Sequence, residues 1–187
     1  MQENNPQETK ALTVAQLGIW VSQMLEKNNP AYNMGEVIEI LGPINTTTFI
    51  QSCNDVVTTT DALHLRFIDT PHGPRQYVDP NPTWDIPYFD LCVENNSEKL
   101  AYGWMQKAVS STVDLTNGPI FKLALFKIAK ERYFLYAFSH HICNDGFGAA
   151  IFIKQLSLLY SAKMTGSEHE DINPFSWSDL MDYEEQY

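Results

Sequence analysis

"YFLYAFSHHICNDGFGAA", residues 133–150, decides how this chain folds. Tyr133 through Phe138 are aromatic or aliphatic without a polar interruption, which marks a strand covered on both faces. Two histidines, His140 and His141, end the run. Asn144, Asp145 and Gly146 follow, residues that turn a chain and cap a helix. Beyond them Ala149, Phe152, Ile153, Leu156, Leu159 and Tyr160 recur at helical spacing, a stripe that ends near Gly166. The stretch reads as a buried strand, a tight turn and a helix.

Upstream, "GPIFKLALFKI" (118–128) and "RYFLYAFSHH" (132–141) are separated only by "AKE", so they form a hairpin with the apolar strand in the middle of the sheet. Residues 1–10 are polar and aperiodic, a mobile leader. Thr13 and Gln16 have the form of a capping box ahead of a helix that carries Leu17, Trp20, Val21, Met24 and Leu25. "GEVIEILG" (35–42) reads as a strand, and Phe49, Ile50, Cys53, Val56 and Val57 as a second helix, capped by Asn45 or Thr46 and ended by three threonines. "ALHLRFID" and "RQYVD" flank the turn "TPHGP" as a strand pair, and the proline-broken "PTWDIPYFDL" is an edge strand or ordered loop. A helix capped by Ser97 carries Ala101, Trp104 and Met105, and the acidic tail ends in a short amphipathic helix. Helices and strands alternate without internal repeats. The expected class is α/β: two-layer, with helices packed on a mixed, mostly covered sheet.

With 187 residues and 44% hydrophobic content, the chain can bury a core of its own. A formal charge of −11 and scattered Lys and Arg argue against nucleic acid as a partner. No apolar run reaches the roughly 20 residues that cross a bilayer, and the first ten residues lack the features of a signal peptide, so no membrane partner and a cytoplasmic location are expected. Cys53, Cys92 and Cys143 have neither disulfide nor zinc spacing and read as reduced thiols.

The chemistry to be weighed lies in the turn. Side chains alternate along a strand, so His140 and His141 project to opposite sides and one of them can face a cleft as a general base near pH 7. Asp145 can hold the loop by accepting backbone N–H bonds, by an ion pair or by fixing a histidine tautomer. Gly146 lets the backbone bend and leaves an N–H at the helix start, available to an oxyanion. Against this stands the plainer possibility of a strand end followed by an ordinary capped turn. Adjacent strand histidines do not easily share one metal ion, and no second ligand cluster accompanies them. Cys143, in mid-turn without a recognisable base, reads as a small buried hydrophobe.

"HHICNDG" resembles the His-His-x-x-x-Asp-Gly motif of condensation domains in nonribosomal peptide synthetases, members of the chloramphenicol acetyltransferase-like superfamily. Three other segments agree in order and spacing. "LTVAQLGIW" (12–20) is similar to the family's first motif, "DALHLRF" (61–67) to its second, and "VDLTNGPIFKLALFKI" (113–128) to the stretch before the histidine strand. The resemblance covers residues 11–187 and corresponds to an N-terminal lobe, with the C-terminal lobe of the domain absent. The wording "AQLGIW" and "LHLRF" is most similar to condensation domains of siderophore synthetases of the enterobactin type.

The resemblance implies amide-bond formation between thioesters carried on the phosphopantetheine arms of upstream and downstream carrier proteins, with no cofactor bound to the chain itself. By motif, it implies that His141 faces the tunnel and accepts the amine's proton or orients the amine. His140 then supports the strand end, Asp145 is structural, pairing with the arginine of the second motif, and Gly146 lies beside the substrate path. Two positions depart from the pattern. His64 stands where that arginine is expected, with Arg66 two residues on as a substitute, and Asn144 replaces the usual serine. Heterocyclisation and epimerisation domains differ at the motif. The remaining alternatives are a free-standing CoA-dependent acyltransferase of the HxxxD type and a non-catalytic module that docks carrier proteins; the isolated lobe is expected to be inactive.

Overall fold

A computed structural model of the chain describes residues 9–168 and 176–184. The leader assigned to residues 1–10 falls largely outside the described residues, but Lys10 does not: Lys10–Ala11 form a short strand, β1. Helix α1 (Val14–Leu25) starts at Thr13, whose side chain and that of Gln16 close a reciprocal capping box. Strand β2 (Asn33–Leu41) leads to α2 (Thr46–Thr59), capped by Asn45. A 3-10 turn (Asp61–His64) precedes β3 (Leu65–Ile68) and β4 (Arg75–Val78). Next come β5 (Tyr88–Asp90), α3 (Ser97–Val109), the hairpin β6 (Phe121–Ala129) and β7 (Arg132–His140), then α4 (Gly146–Thr165) and α5 (Trp177–Glu184).

The apolar stretch of residues 133–138 sits where its composition requires. In the mixed sheet β2-β7-β6-β5, strand β7 lies between β2 and β6, antiparallel to both, while β5 runs parallel to β6 at the rim. Alternation along β6 and β7 supplies two cores. Phe121, Leu123, Leu125 and Leu135 pack on Phe49, Cys53 and Val56 of α2 and on Phe152 and Leu156 of α4. Ala124, Phe126, Phe134 and Phe138 pack on Trp20 of α1, on Ala101 and Met105 of α3, and on Leu65 and Phe67 of β3. The helices thus pack on a mixed, covered sheet as expected. The structure adds a second, three-stranded sheet, β1-β4-β3, lying against the other face.

Local corrections follow from hydrogen bonding. The cap of α3 is Asn96 rather than Ser97, which is already helical. His64, read as part of the strand "ALHLRFID", instead closes the 3-10 turn, so it does not share the strand alternation of Arg66. Helix α4 ends at Gly166 in the left-handed conformation that glycine adopts without steric cost. Among the described residues, no helix is long and apolar enough to cross a membrane.

Candidate active site

Strand β7 ends at His140, and the next five residues carry the chain across to α4. The two histidines separate as alternation requires. His140 is 1% exposed. Its Nδ1 accepts from the Ile142 N–H at 3.3 Å, which leaves Nε2 protonated, donating to Gln23 Oε1 at 3.3 Å. With both nitrogens engaged in the neutral ring, burial and the neighbouring His141 push its pKa down to about 4.

His141 has the opposite arrangement. It is exposed, its backbone N–H donates to the Tyr32 carbonyl at 2.8 Å, and its Nδ1 lies 3.1 Å from the Asn144 carbonyl. A carbonyl only accepts, so Nδ1 carries the proton and the lone pair is on Nε2. One carbonyl of the turn therefore sets the tautomer that a base needs.

Asp145 caps α4: its Oδ1 accepts from the Gly148 N–H at 2.8 Å and its carbonyl from the Ala149 N–H at 2.9 Å. Gly146 is the first helical residue and is exposed, with an N–H that the helix leaves without an internal acceptor. Gly148 is the more constrained position, because a Cβ there would lie 2.2 Å from Asn144 Oδ1.

Neither residue expected to partner Asp145 does so. The His64 Nε2–H donates to the Val57 carbonyl, and its ring meets Trp84 edge-on at 4.8 Å. Arg66 pairs with Asp79 at 3.0 Å and reaches the Leu65 carbonyl. The second-motif strand thus fastens itself to α2 and to the end of β4, and Asp145 is held by the helix that it caps. In a double-mutant cycle of His64→Ala and Asp145→Ala, stability effects are expected to add within about 0.5 kcal/mol; a larger coupling in chemical denaturation counts against this separation.

A cleft of about 510 Å³ opens beside the turn, within the usual range for small-molecule sites. It is lined by His141, Asn144, Asp145 and Gly148, by Gln16 and Ile19 of α1, by Leu63 and Leu65, by Ile151, Phe152 and Gln155 of α4, and by Trp177 and Met181 of α5. His140, Gly146, His64 and Arg66 are not among its lining residues. Cys143 reaches the cleft, but burial pushes its thiol up to about 12, so the thiolate needed by a nucleophile is negligible at neutral pH.

Sequence reasoning missed the pair of glutamines behind the turn. Gln16 Nε2 donates to Gln76 Oε1 at 3.0 Å and to the Ile142 carbonyl at 3.2 Å, while Gln76 Nε2 donates back to Gln16 Oε1 at 2.7 Å. Gln76 is completely buried. Its only sequence signal is a polar residue inside a short β-rich run.

A covered mixed sheet whose central strand leads into His141 at a cleft, followed by a capped helix, has the fold of the chloramphenicol acetyltransferase-like class. The family model for the condensation domain matches residues 6–187, and the chain belongs to that family. It is 38% identical over 156 residues to a dimodular nonribosomal peptide synthase of Bacillus subtilis, covering 83% of this chain and 7% of that protein. It is 33% identical over 181 residues to an isonitrile lipopeptide synthase of Streptomyces coeruleorubidus, covering 96% and 12%. With enterobactin synthase component F of Escherichia coli it shares 25% identity over 179 residues, covering 94% and 14%.

Among solved structures, the starter condensation domain of rhizomide synthetase RzmA superposes with a TM-score of 0.90 at 32% identity, over 96% of this chain and 44% of that one. A variant of that domain in complex with C8-CoA gives 0.91 at 34%, covering 96% and 41%. The chain thus spans less than half of these condensation-domain chains and about a tenth of the synthases.

Proposed function

We propose that this lobe supplies the catalytic histidine of a condensation domain that forms an amide from a thioester donor and an amine acceptor. The observation that carries the reading is His141: exposed at the cleft, with Nδ1–H turned to the Asn144 carbonyl and Nε2 free. Nε2 accepts the proton as the amine nitrogen bonds to the thioester carbonyl carbon. The tetrahedral intermediate then collapses, the C–S bond breaks, and the proton passes to the departing thiolate. His140 supports the strand end as a neutral ring, Asp145 holds the helix start, and the exposed Gly146 N–H stands at the edge of the turn.

Both thioesters are delivered on phosphopantetheine arms of carrier proteins in this reading, and the C-terminal lobe of the same synthetase closes the other side of the tunnel. The shared fold with condensation domains supports it. A CoA thioester as the donor is a second reading, favoured by the related domain that holds C8-CoA. The test is to offer the full-length protein an aminoacyl-loaded acceptor carrier with, separately, an acyl-loaded carrier and an acyl-CoA. An acyl-aminoacyl product released from the acceptor carrier is expected with the first donor; product from CoA alone selects the second reading, and no product from either rejects both.

A further inference from the structure

Gln155 is a buried polar side chain that the catalytic reading does not use. It is 5% exposed and lines the cleft, yet among the described residues its amide makes no hydrogen bond, and no side-chain N or O there is both sealed in the core and unpaired. The amide therefore opens into the cleft. The cleft that it lines is walled largely by apolar groups, including Ile19, Leu63, Ile151, Phe152 and Trp177, with Gln16, Thr60 and residues of the turn among its polar members. Burying an amide among such groups without a partner is costly, and structures that keep one there do so where something else completes it.

Position gives the chemistry of what completes it. Gly148, Ile151, Phe152 and Gln155 stand at i, i+3, i+4 and i+7, one face of α4 along the cleft. At 1.5 Å per residue, Gln155 lies about 10 Å further along the helix than Gly148, which sits at the cap beside the turn that carries His141. That span matches about three residues of extended chain. A group bound with its reacting carbonyl at His141 and running along this face thus passes the apolar side chains of Ile151 and Phe152 before meeting the Gln155 amide.

We propose that Gln155 is a specificity-determining residue, selecting donor acyl groups that carry a hydrogen-bonding amide or hydroxyl near the far end of an otherwise apolar chain. This rests on the reading of His141 as the reacting centre. The acyl end rather than the pantetheine arm is assigned as the partner, because Gln155 is 5% exposed and stands more than two turns into α4, beyond the turn that carries His141. An all-alkyl chain would strip the water from the amide and offer nothing in return; a site of this kind rejects the analogue that lacks the polar group.

The test is equilibrium binding to the full-length protein of two probes, octanoyl-pantetheine and a carbamoyl-terminated acyl-pantetheine of matched length. The wild type is expected to bind the carbamoyl probe at least about tenfold more tightly. In Gln155→Leu, and in the unbranched Gln155→Met, the preference is expected to reverse. Equal affinities in the wild type, or a preference unchanged in both variants, overturns the proposal. Binding is read without turnover, so the preference seen in a protein that forms no product still supports Gln155 while rejecting the reading of His141.

Discussion

His141→Ala in the full-length protein is expected to lower the rate of amide formation from loaded carrier proteins by about two to four orders of magnitude, the usual worth of a positioned general base. Stability should hardly change. The residue is exposed and, among the described residues, its ring makes one hydrogen bond, to the Asn144 carbonyl, so removing it is expected to shift unfolding by about 0.5 kcal/mol or less. The dissociation of the two effects is the informative part. Loss of activity with an unchanged denaturation midpoint assigns the ring to chemistry. Product formation within a few-fold of wild type removes His141 from the mechanism and leaves the turn as a cap alone.

Which parts of this were legible in the sequence follows from the range of the interactions. The central strand declared itself because six consecutive apolar side chains, Tyr133 to Phe138, have no stable place except between two covered faces. Caps were readable where a side chain bonds within three residues of itself: Thr13 with Gln16, Asn45 with the Thr48 N–H, Asp145 with the Gly148 N–H. Asn96 was missed because its side chain makes no capping bond, so nothing in the local pattern distinguishes it from Ser97.

The contacts of His64 and Arg66 could not be read in this way. They depend on where α2 and the end of β4 pass, separations of 7 residues to Val57 along the chain and, for Arg66, a partner across the β3–β4 pair. A family pattern predicts that such a position is occupied, not that a substituted residue keeps the same partner. The ring that stands in place of a guanidinium bonds the Val57 carbonyl, and the ion pair of this segment is Arg66 with Asp79. Gln155 lay furthest from view. On its stripe it reads as a polar interruption of an apolar face, and only the cleft around it and the lack of a protein partner for its amide give it meaning.

Lowering the pH from about 6.5 to about 4 is expected to cost the chain of residues 1–187 about 3 kcal/mol of folding stability through His140 alone. In the unfolded chain this imidazole binds a proton near its ordinary value of 6.5; in the folded chain it does so only near 4, because the ring is buried, lies next to His141, and uses Nδ1 as an acceptor for the Ile142 N–H. Between those values the unfolded state holds more protons. Stability therefore rises with pH across the window, is fully present above about 6.5, and is lost as the pH falls towards 4. Asp90 and Asp114, whose carboxyls are held below their usual values by hydrogen bonds from Cys92 and from Asn117 and Thr116, add to the loss only from about pH 5 downward, where carboxyls of the unfolded chain begin to bind protons. Protonating Nδ1 would set two N–H groups against each other, at His140 and Ile142, and so dislodge the turn that presents His141. Activity is expected to fall with the fold on the acid side. Urea denaturation at steps from pH 7 to pH 4.5 should show a slope approaching one proton in the wild type. His140→Gln should be less stable at pH 7, because it leaves the Ile142 N–H or Gln23 without its partner, but nearly flat over the same range. An equal slope in the variant would assign the acid sensitivity to other groups and remove His140 from this role.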